Sequence, residues 1–387
     1  MMTGHSHPAQ ISAEVLEWAM ARVSVNIEEL ATASGTSSTV VEAWLSGSRR
    51  PSFRQAQLAA SRLRIPFGFL FLTAPPPDSL PIPDFRRVNG EAISIISADL
   101  HDVVLDVLRK QAWLSEFLRE SRAEPVRYVA KRSGSNHMDD IATDIRVALR
   151  LGSPSYQRPT SVDGVLREMV QRVESLRINV LRSGIVGQNT HRPLDVGEFR
   201  GFCLSDEFAP FIFINSADAQ VAQVFTLLHE LAHIWRGDSG VSGGVDQSSL
   251  SIETLCNRVA AEVLVPSYEF DAVWNGDLSA TEGVRTASRH FRISRYVIAI
   301  KAFESRRISR EELDELLDEY EREGRRGTSS PGGDYYRTLI ARNGRSFTER
   351  VIGAVGRQDV LIREAASLLD AKPGQLDRIG RELRRAS

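Results

Sequence analysis

The pentapeptide His229-Glu230-Leu231-Ala232-His233 lies inside the run "FTLLHELAHIW" (225–235). On a helix, residues four apart share a face, one turn above the other. His229 and His233 can therefore offer two imidazoles to a single ion. Glu230, about 100° round from His229, flanks that ion without ligating it. Catalytic zinc takes three protein ligands and keeps an open position for water. The ion lowers the pKa of that water, and a neighbouring carboxylate takes its proton as it attacks a carbonyl. The other use of the same residues is a buried helix, with Phe225, Leu228, Ala232 and Trp235 in a core and two satisfied histidines.

A third ligand must come from another element. The amphipathic run "SIETLCNRVAAEVLVP" (251–266) begins 18 residues after His233. Glu253 and Asn257 are four apart and share a face, so Glu253 can ligate while Asn257 orients a ligand imidazole from behind. Glu262 is the competing carboxylate, but it lies about 180° from Glu253 on the helical wheel. Glu253 is the expected ligand, because only it has a polar partner one turn on. The small pair Ala260-Ala261 lets this helix approach the first one closely. Two histidines and a carboxylate can also hold manganese or iron; their helical spacing beside a glutamate favours Zn2+. For the oxyanion no residue stands out, His191 (in the loop before the second strand), His290 and the tyrosines being the candidates.

Those two helices must sit on something. A chain of 387 residues with 42% hydrophobic and 25% charged side chains is long enough for two or three soluble domains. Its net charge of -2 gives no chain-wide pull toward nucleic acid or membrane. Two cysteines, Cys203 and Cys256, make no disulfide framework and fit a reducing cytoplasm. No export signal and no apolar run long enough to span a membrane is visible.

Short helices are expected over 12–72, then a proline-rich stretch, "TAPPPDSLPIPDFRRVNG", that cannot be helix. A long helix follows from about 98 to 121, striped by Leu100, Val103, Val104, Val107, Leu108, Leu114, Phe117 and Leu118. Helices at 138–150 and 162–176 lead to three strands, "INVLRSGIV" (178–186), "GEFRGFCLSD" (197–206) and "PFIFINS" (210–216). The edge of the last is the expected place for an extended peptide to add. After a Gly/Ser/Pro/Arg-rich break at 324–334 the remainder is helical. From Gly324 onward it carries 13 Arg/Lys against 7 Asp/Glu. No internal repeat is visible. The expected fold class is mainly α with a small β-sheet (α+β).

Three segments, "PFIFINS", "FTLLHELAHIW" and "ETLCNRVAAEVLVP", resemble the ImmA/IrrE metallopeptidases over about 160–300. The resemblance implies a gluzincin-like core with His229, His233 and Glu253 on zinc and Glu230 as general base. It also implies a repressor-like protein substrate. Two departures, Cys256-Asn257 for the family's usual Ala-Asn and Val265-Pro266 for its frequent Met-Pro, touch no expected ligand.

A second resemblance covers 27–66, "IEELATASGTSSTVVEAWLSGSRRPSFRQAQLAASRLRIP", which is similar to the XRE-type helix-turn-helix. Leu30, Ala31, Gly35, Val40, Trp44, Leu45, Leu58, Ala59 and Leu63 match its core and turn pattern. In that fold the second helix enters the major groove. That puts Thr36, Ser37, Ser38, Thr39 and Glu42 near bases and Arg49 and Arg50 on phosphate. Six arginines against five carboxylates over 1–75 make a weak electrostatic footprint.

The expected organisation is a helix-turn-helix domain (1–75), a proline-rich linker (76–96), a zinc metalloendopeptidase domain with a helical extension (97–323) and a basic helical region (324–387). Such a chain would be a cytoplasmic regulator, binding double-stranded DNA, forming a homodimer and cutting a protein substrate by metal-hydroxide attack. The alternative is an antitoxin or repressor that binds DNA and a cognate toxin and cuts nothing.

Overall fold

A computed structural model describes residues 8–23, 25–76, 82, 87–88, 91–92, 96–135, 137–151, 161–242, 252–291, 293, 295–324 and 334–385. Most of the proline-rich stretch and most of the break at 324–334 fall outside them. The architecture is mainly α with a small mixed sheet, as the sequence periodicities predict. The chain divides into two compact units, one of residues 1–81 and 93–105, the other of 82–92 and 106–387.

The first unit is a helical cluster: α1 (Ala13–Arg22), α2 (Ile27–Ser34), α3 (Ser38–Leu45), α4 (Phe53–Arg62) and a 3-10 turn (Phe67–Phe71). Its starts and stops follow from capping. Asn26 Oδ1 accepts from Glu29 N at 2.8 Å, and α2 ends where Gly35 turns left-handed at φ 64°, as a glycine does without a Cβ penalty. Leu16, Leu30, Ala31, Val41, Trp44, Ala59 and Leu63 are buried together. Leu58 is not among them. It is 41% exposed, because α4 turns its alanines Ala56, Ala59 and Ala60 inward. Helix α5 (Ala98–Glu120) follows, its first eight residues clustering with the first unit and the rest with the second.

The second unit opens with two antiparallel strands of two residues each, β1 (Arg87–Val88) and β2 (Glu91–Ala92). Helices α6 (Met138–Ala148) and α7 (Val162–Ser175) precede the sheet. The strands are β3 (Asn179–Ser183), β4 (Ile185–Val186), β5 (Asn189–Pro193), β6 (Gly201–Leu204), β7 (Phe211–Asn215) and β8 (Gly240–Ser242). The main sheet has the order β3-β7-β6-β8, and β4 and β5 form a separate hairpin. Two expectations change here. The strand at 210–216 has no free edge, since β7 pairs with β3 in parallel and with β6 antiparallel. His191 lies within β5, not in a loop.

Helix α8 (Gln220–Arg236) follows β7, and α9 (Ile252–Leu264), α10 (Ser267–Val273), α11 (Ala280–Phe291), α12 (Arg295–Glu304) and α13 (Arg310–Gly324) follow β8. The basic region forms α14 (Tyr335–Asn343), α15 (Arg345–Gly356), α16 (Ile362–Leu368) and α17 (Leu376–Arg385). It packs on the sheet: a Cβ at Gly344 would stand 2.7 Å from Val180 O on β3, and Phe347 meets Phe211 at 5.6 Å between ring centres. Lys110 is buried, its Nζ 2.6 Å from Asp106 and 3.2 Å from Asp370. A buried ammonium is tolerable when paired in this way. No helix among the described residues is long and apolar enough to cross a membrane.

Candidate metal centre

Helix α8 is apolar nearly all round and buried from Thr226 to Arg236. Its C-terminus is fixed from outside. Ala130 N donates to Ile234 O at 3.0 Å and Arg132 N to Trp235 O at 2.8 Å, satisfying carbonyls that a helix end leaves orphaned. Gly237 closes the helix at φ 85°, where a Cβ would also stand 2.8 Å from Ala130 Cβ. Helix α9 packs against α8, its Cys256 and Ala260 buried in the same core, and His229 and His233 of the one face Glu253 of the other.

This packing brings His229, His233 and Glu253 together, with one donor atom from each lying within 4.8 Å of the others. The two Nε2 atoms are 3.2 Å apart. Glu253 Oε2 is 3.2 Å from His229 Nε2, and Oε1 is 3.0 Å from His233 Nε2. A tetrahedral zinc with bonds of about 2.05 Å has ligand atoms about 3.3 Å apart. The donor spacings therefore fit one small divalent ion. Both histidines are buried and Glu253 nearly so.

The electrostatics run the same way. Burial by itself would raise the Glu253 carboxyl, but hydrogen bonds and charge from the two imidazoles hold it at about 2. Burial opposes a charged His229, yet Glu253, Glu230 and last Asn257 lift it above the ordinary histidine value. The pocket favours an ionised carboxylate among imidazoles, which is a cation's ligand set. Asn257 is half-buried, one turn on from Glu253.

Glu230 is wholly buried. A Cβ on Gly201 of β6 would come within 3.3 Å of its Oε1, so the strand's bare backbone is the wall beside the carboxylate. Gly201 was not singled out from sequence, although a glycine inside a strand pattern is the signal of a close approach. Glu262 is occupied elsewhere: it bonds Lys301, Ser267 N at 2.8 Å and Ser267 Oγ at 2.7 Å. His191 and His290 are exposed, and neither joins the cluster. Cys203 and Cys256 are free, and burial pushes both thiols up.

The outward side of the first unit carries the other expected residues. Ser37, Thr39, Glu42, Arg49 and Arg50 are exposed, and Thr36 and Ser38 are half-buried.

Residues 178–303 match the family model described as the IrrE N-terminal-like domain, a metal-dependent peptidase family. No curated protein matches the chain. The matched stretch is thus similar to a metallopeptidase domain, and it contains the whole His229/His233/Glu253 cluster with Glu230. The match supports the ImmA/IrrE resemblance for this part of the chain.

Proposed function

We propose that this chain is a zinc metalloendopeptidase joined to a DNA-binding helix-turn-helix, and that it cuts a repressor-like protein. The observation that carries the reading is the convergence of two imidazoles and a carboxylate at tetrahedral spacing. Beside them a fourth group, Glu230, is buried and stands outside the three-residue cluster, where a carboxylate can serve proton transfer. A structural zinc site closes with four ligands and needs no such base. His229, His233 and Glu253 would hold the ion, which supplies a water of lowered pKa and a Lewis acid for the scissile carbonyl. Glu230 takes the water's proton on its carboxylate and delivers it to the leaving amine. Asn257 keeps the His229 ring oriented.

A substrate strand that extends the sheet would use β8, the outer strand next to β6 and its Gly201, since the β3 side carries the basic helices. In the first unit α3 would enter the major groove with Thr39 and Glu42 facing bases and Arg49 and Arg50 on phosphate. A homodimer would match such a unit to a two-fold operator.

The test is a comparison of new protein N-termini in lysates of the source cell incubated with the zinc-loaded chain or its Glu230→Gln variant. The proposal expects at least one cleavage made by the former and absent with the latter. Identical profiles would contradict proteolysis and leave the DNA- and toxin-binding reading.

A further inference from the structure

Three helices near the C-terminus follow, 335 positions further on, the order and turn geometry of three helices in the first unit, although α17 runs on to Arg385 where α3 ends at Leu45. Helix α2 ends at the left-handed Gly35 (φ 64°), and α16 is followed by the left-handed Asp370 (φ 48°), with 370 − 35 = 335. The hydrogen bonds of the two turns correspond. Thr36 N donates to Ala31 O at 2.9 Å, and Ala371 N to Ala366 O at 2.8 Å. Gly35 N reaches Thr32 O at 3.2 Å, and Asp370 N reaches Ser367 O at 3.3 Å. Next come two extended residues, Ser37 and Lys372, each the cap of the following helix; the second of these helices starts with a 3-10 turn at Pro373–Gln375.

The buried positions keep the same register. Leu16 and Val351, Ala19 and Ala354, Leu30 and Ala365, Ala31 and Ala366, Val41 and Leu376, and Trp44 and Ile379 are all core residues. Few of these pairs are identical, which is why the sequence shows no repeat.

Charge separates the two copies. The stretch 36–50 carries two arginines and one glutamate; the matching stretch 371–385 carries five cations and two carboxylates. Arg384 and Arg385 occupy the register positions of Arg49 and Arg50. Arg378 lies 4.3 Å over the Tyr336 ring and Arg385 pairs with Glu382 at 3.1 Å. Arg381 and Arg384 are exposed and make no ion pair among the described residues.

We infer that α16 and α17 form a second helix-turn-helix, and that Lys372, Arg381 and Arg384 bind the phosphates of double-stranded DNA. The inference rests on reading α2 and α3 as a helix-turn-helix. In such a motif the second helix lies in the major groove, here with Gly374 and Gln375 toward the bases and the arginines toward the backbone. The C-terminal copy supplies the positive surface that the N-terminal one lacks. It makes the basic region a nucleic-acid contact rather than a solvated face.

The full chain is titrated with a short mixed-sequence duplex across a salt series, read by fluorescence anisotropy. Arg381→Gln/Arg384→Gln is compared with Arg49→Gln/Arg50→Gln, both checked for an unchanged thermal melt. Losing two phosphate contacts makes the slope of log K against log salt shallower by about 1.8, and this is expected of the C-terminal variant. A wild-type slope in that variant overturns the inference, whatever the N-terminal variant does. A loss confined to the C-terminal variant upholds it and counts against DNA contact by α3. Single-stranded RNA bound as tightly as duplex overturns the choice of partner, and no duplex binding by the wild-type chain overturns both readings.

Discussion

Gly201→Ala adds one methyl group at the point where the sheet meets α8, the helix of His229, Glu230 and His233. The new carbon would stand 2.6 Å from Thr226 Cγ2 and 2.9 Å from Phe213 O. Carbon contacts are comfortable at about 3.5–4.0 Å, so the first overlap is close to 1 Å. Neither neighbour can give way easily. Thr226 is β-branched, buried and on a helix, which restricts its rotamer. Phe213 O belongs to the interior strand β7. Overpacking of a tight core costs about 1–3 kcal/mol, and two rigid neighbours place this case near about 2–3 kcal/mol. For a unit of this size that lowers Tm by roughly 4–10 °C. Urea unfolding followed by tryptophan fluorescence should show the loss with an unchanged m-value. Thr226→Ser in the same chain removes the offending methyl and should restore about 1 kcal/mol, a non-additivity expected of touching residues. The same methyl also approaches Glu230 Oε1 at 3.3 Å, so the proposed peptidase activity should fall further than the stability loss explains. A Gly201→Ala chain within 0.5 kcal/mol of wild type, on the usual scale of harmless substitutions, would refute the reasoning.

Glu174 on α7 accepts from Ser346 N at 3.0 Å, with Arg345 and Glu349 close by. Burial raises its carboxyl to about 7 from 4.5, against the opposing pull of Ser346, Arg345 and Val180. A raised folded-state pKa means stability present below pH 4.5 and lost as pH rises through about 7, by at most about 3 kcal/mol. Glu174→Gln should remove that fall from a series of urea midpoints between pH 4 and 8; an unchanged pH dependence would contradict it. Lys301 is buried against Glu262 and Ser267, so Lys301→Met should cost about 3–5 kcal/mol by stranding the carboxylate. Adding Glu262→Gln should return most of it in the same unfolding assay, and additive losses would show the pair is not coupled.

Helices α8 and α9, which carry the candidate metal ligands, were the most legible part of the chain. Their signal is a period of four in ligating side chains on strongly apolar helices, and helix packing alone then decides which faces meet. The choice of Glu253 over Glu262 rested on Asn257, the polar partner one turn on, since the wheel lets only one of the two carboxylates face the ion. The structure gives Glu262 the partner, Lys301, that sequence could not supply because it lies 39 residues away. Leu58 misled because large apolar residues dominate periodicity, whereas α4 meets its neighbours through three alanines. The β7 edge misled because strand order is a long-range property: β3 and β6 close both sides of β7 from different parts of the chain. Strand β8 was missed because it has three residues. The tail "DVLIREAASLLDAKPGQLDRIGREL" has the cadence of a small helix-turn-helix bundle in sequence. Its position-by-position parallel with α1–α3 was hidden because burial register survives substitution of Leu30 by an alanine equivalent, Ala365, while residue identity does not.

The central claim is that three converging side chains hold one metal ion, and metal content is its most direct measurement. Elemental analysis of chain purified without chelators should find about one zinc per chain for wild type and for Glu262→Gln, and far less for Glu253→Gln, since catalytic sites use three protein ligands. Zinc retained by Glu253→Gln, or absent from the wild-type chain after exposure to zinc at neutral pH, would contradict the account.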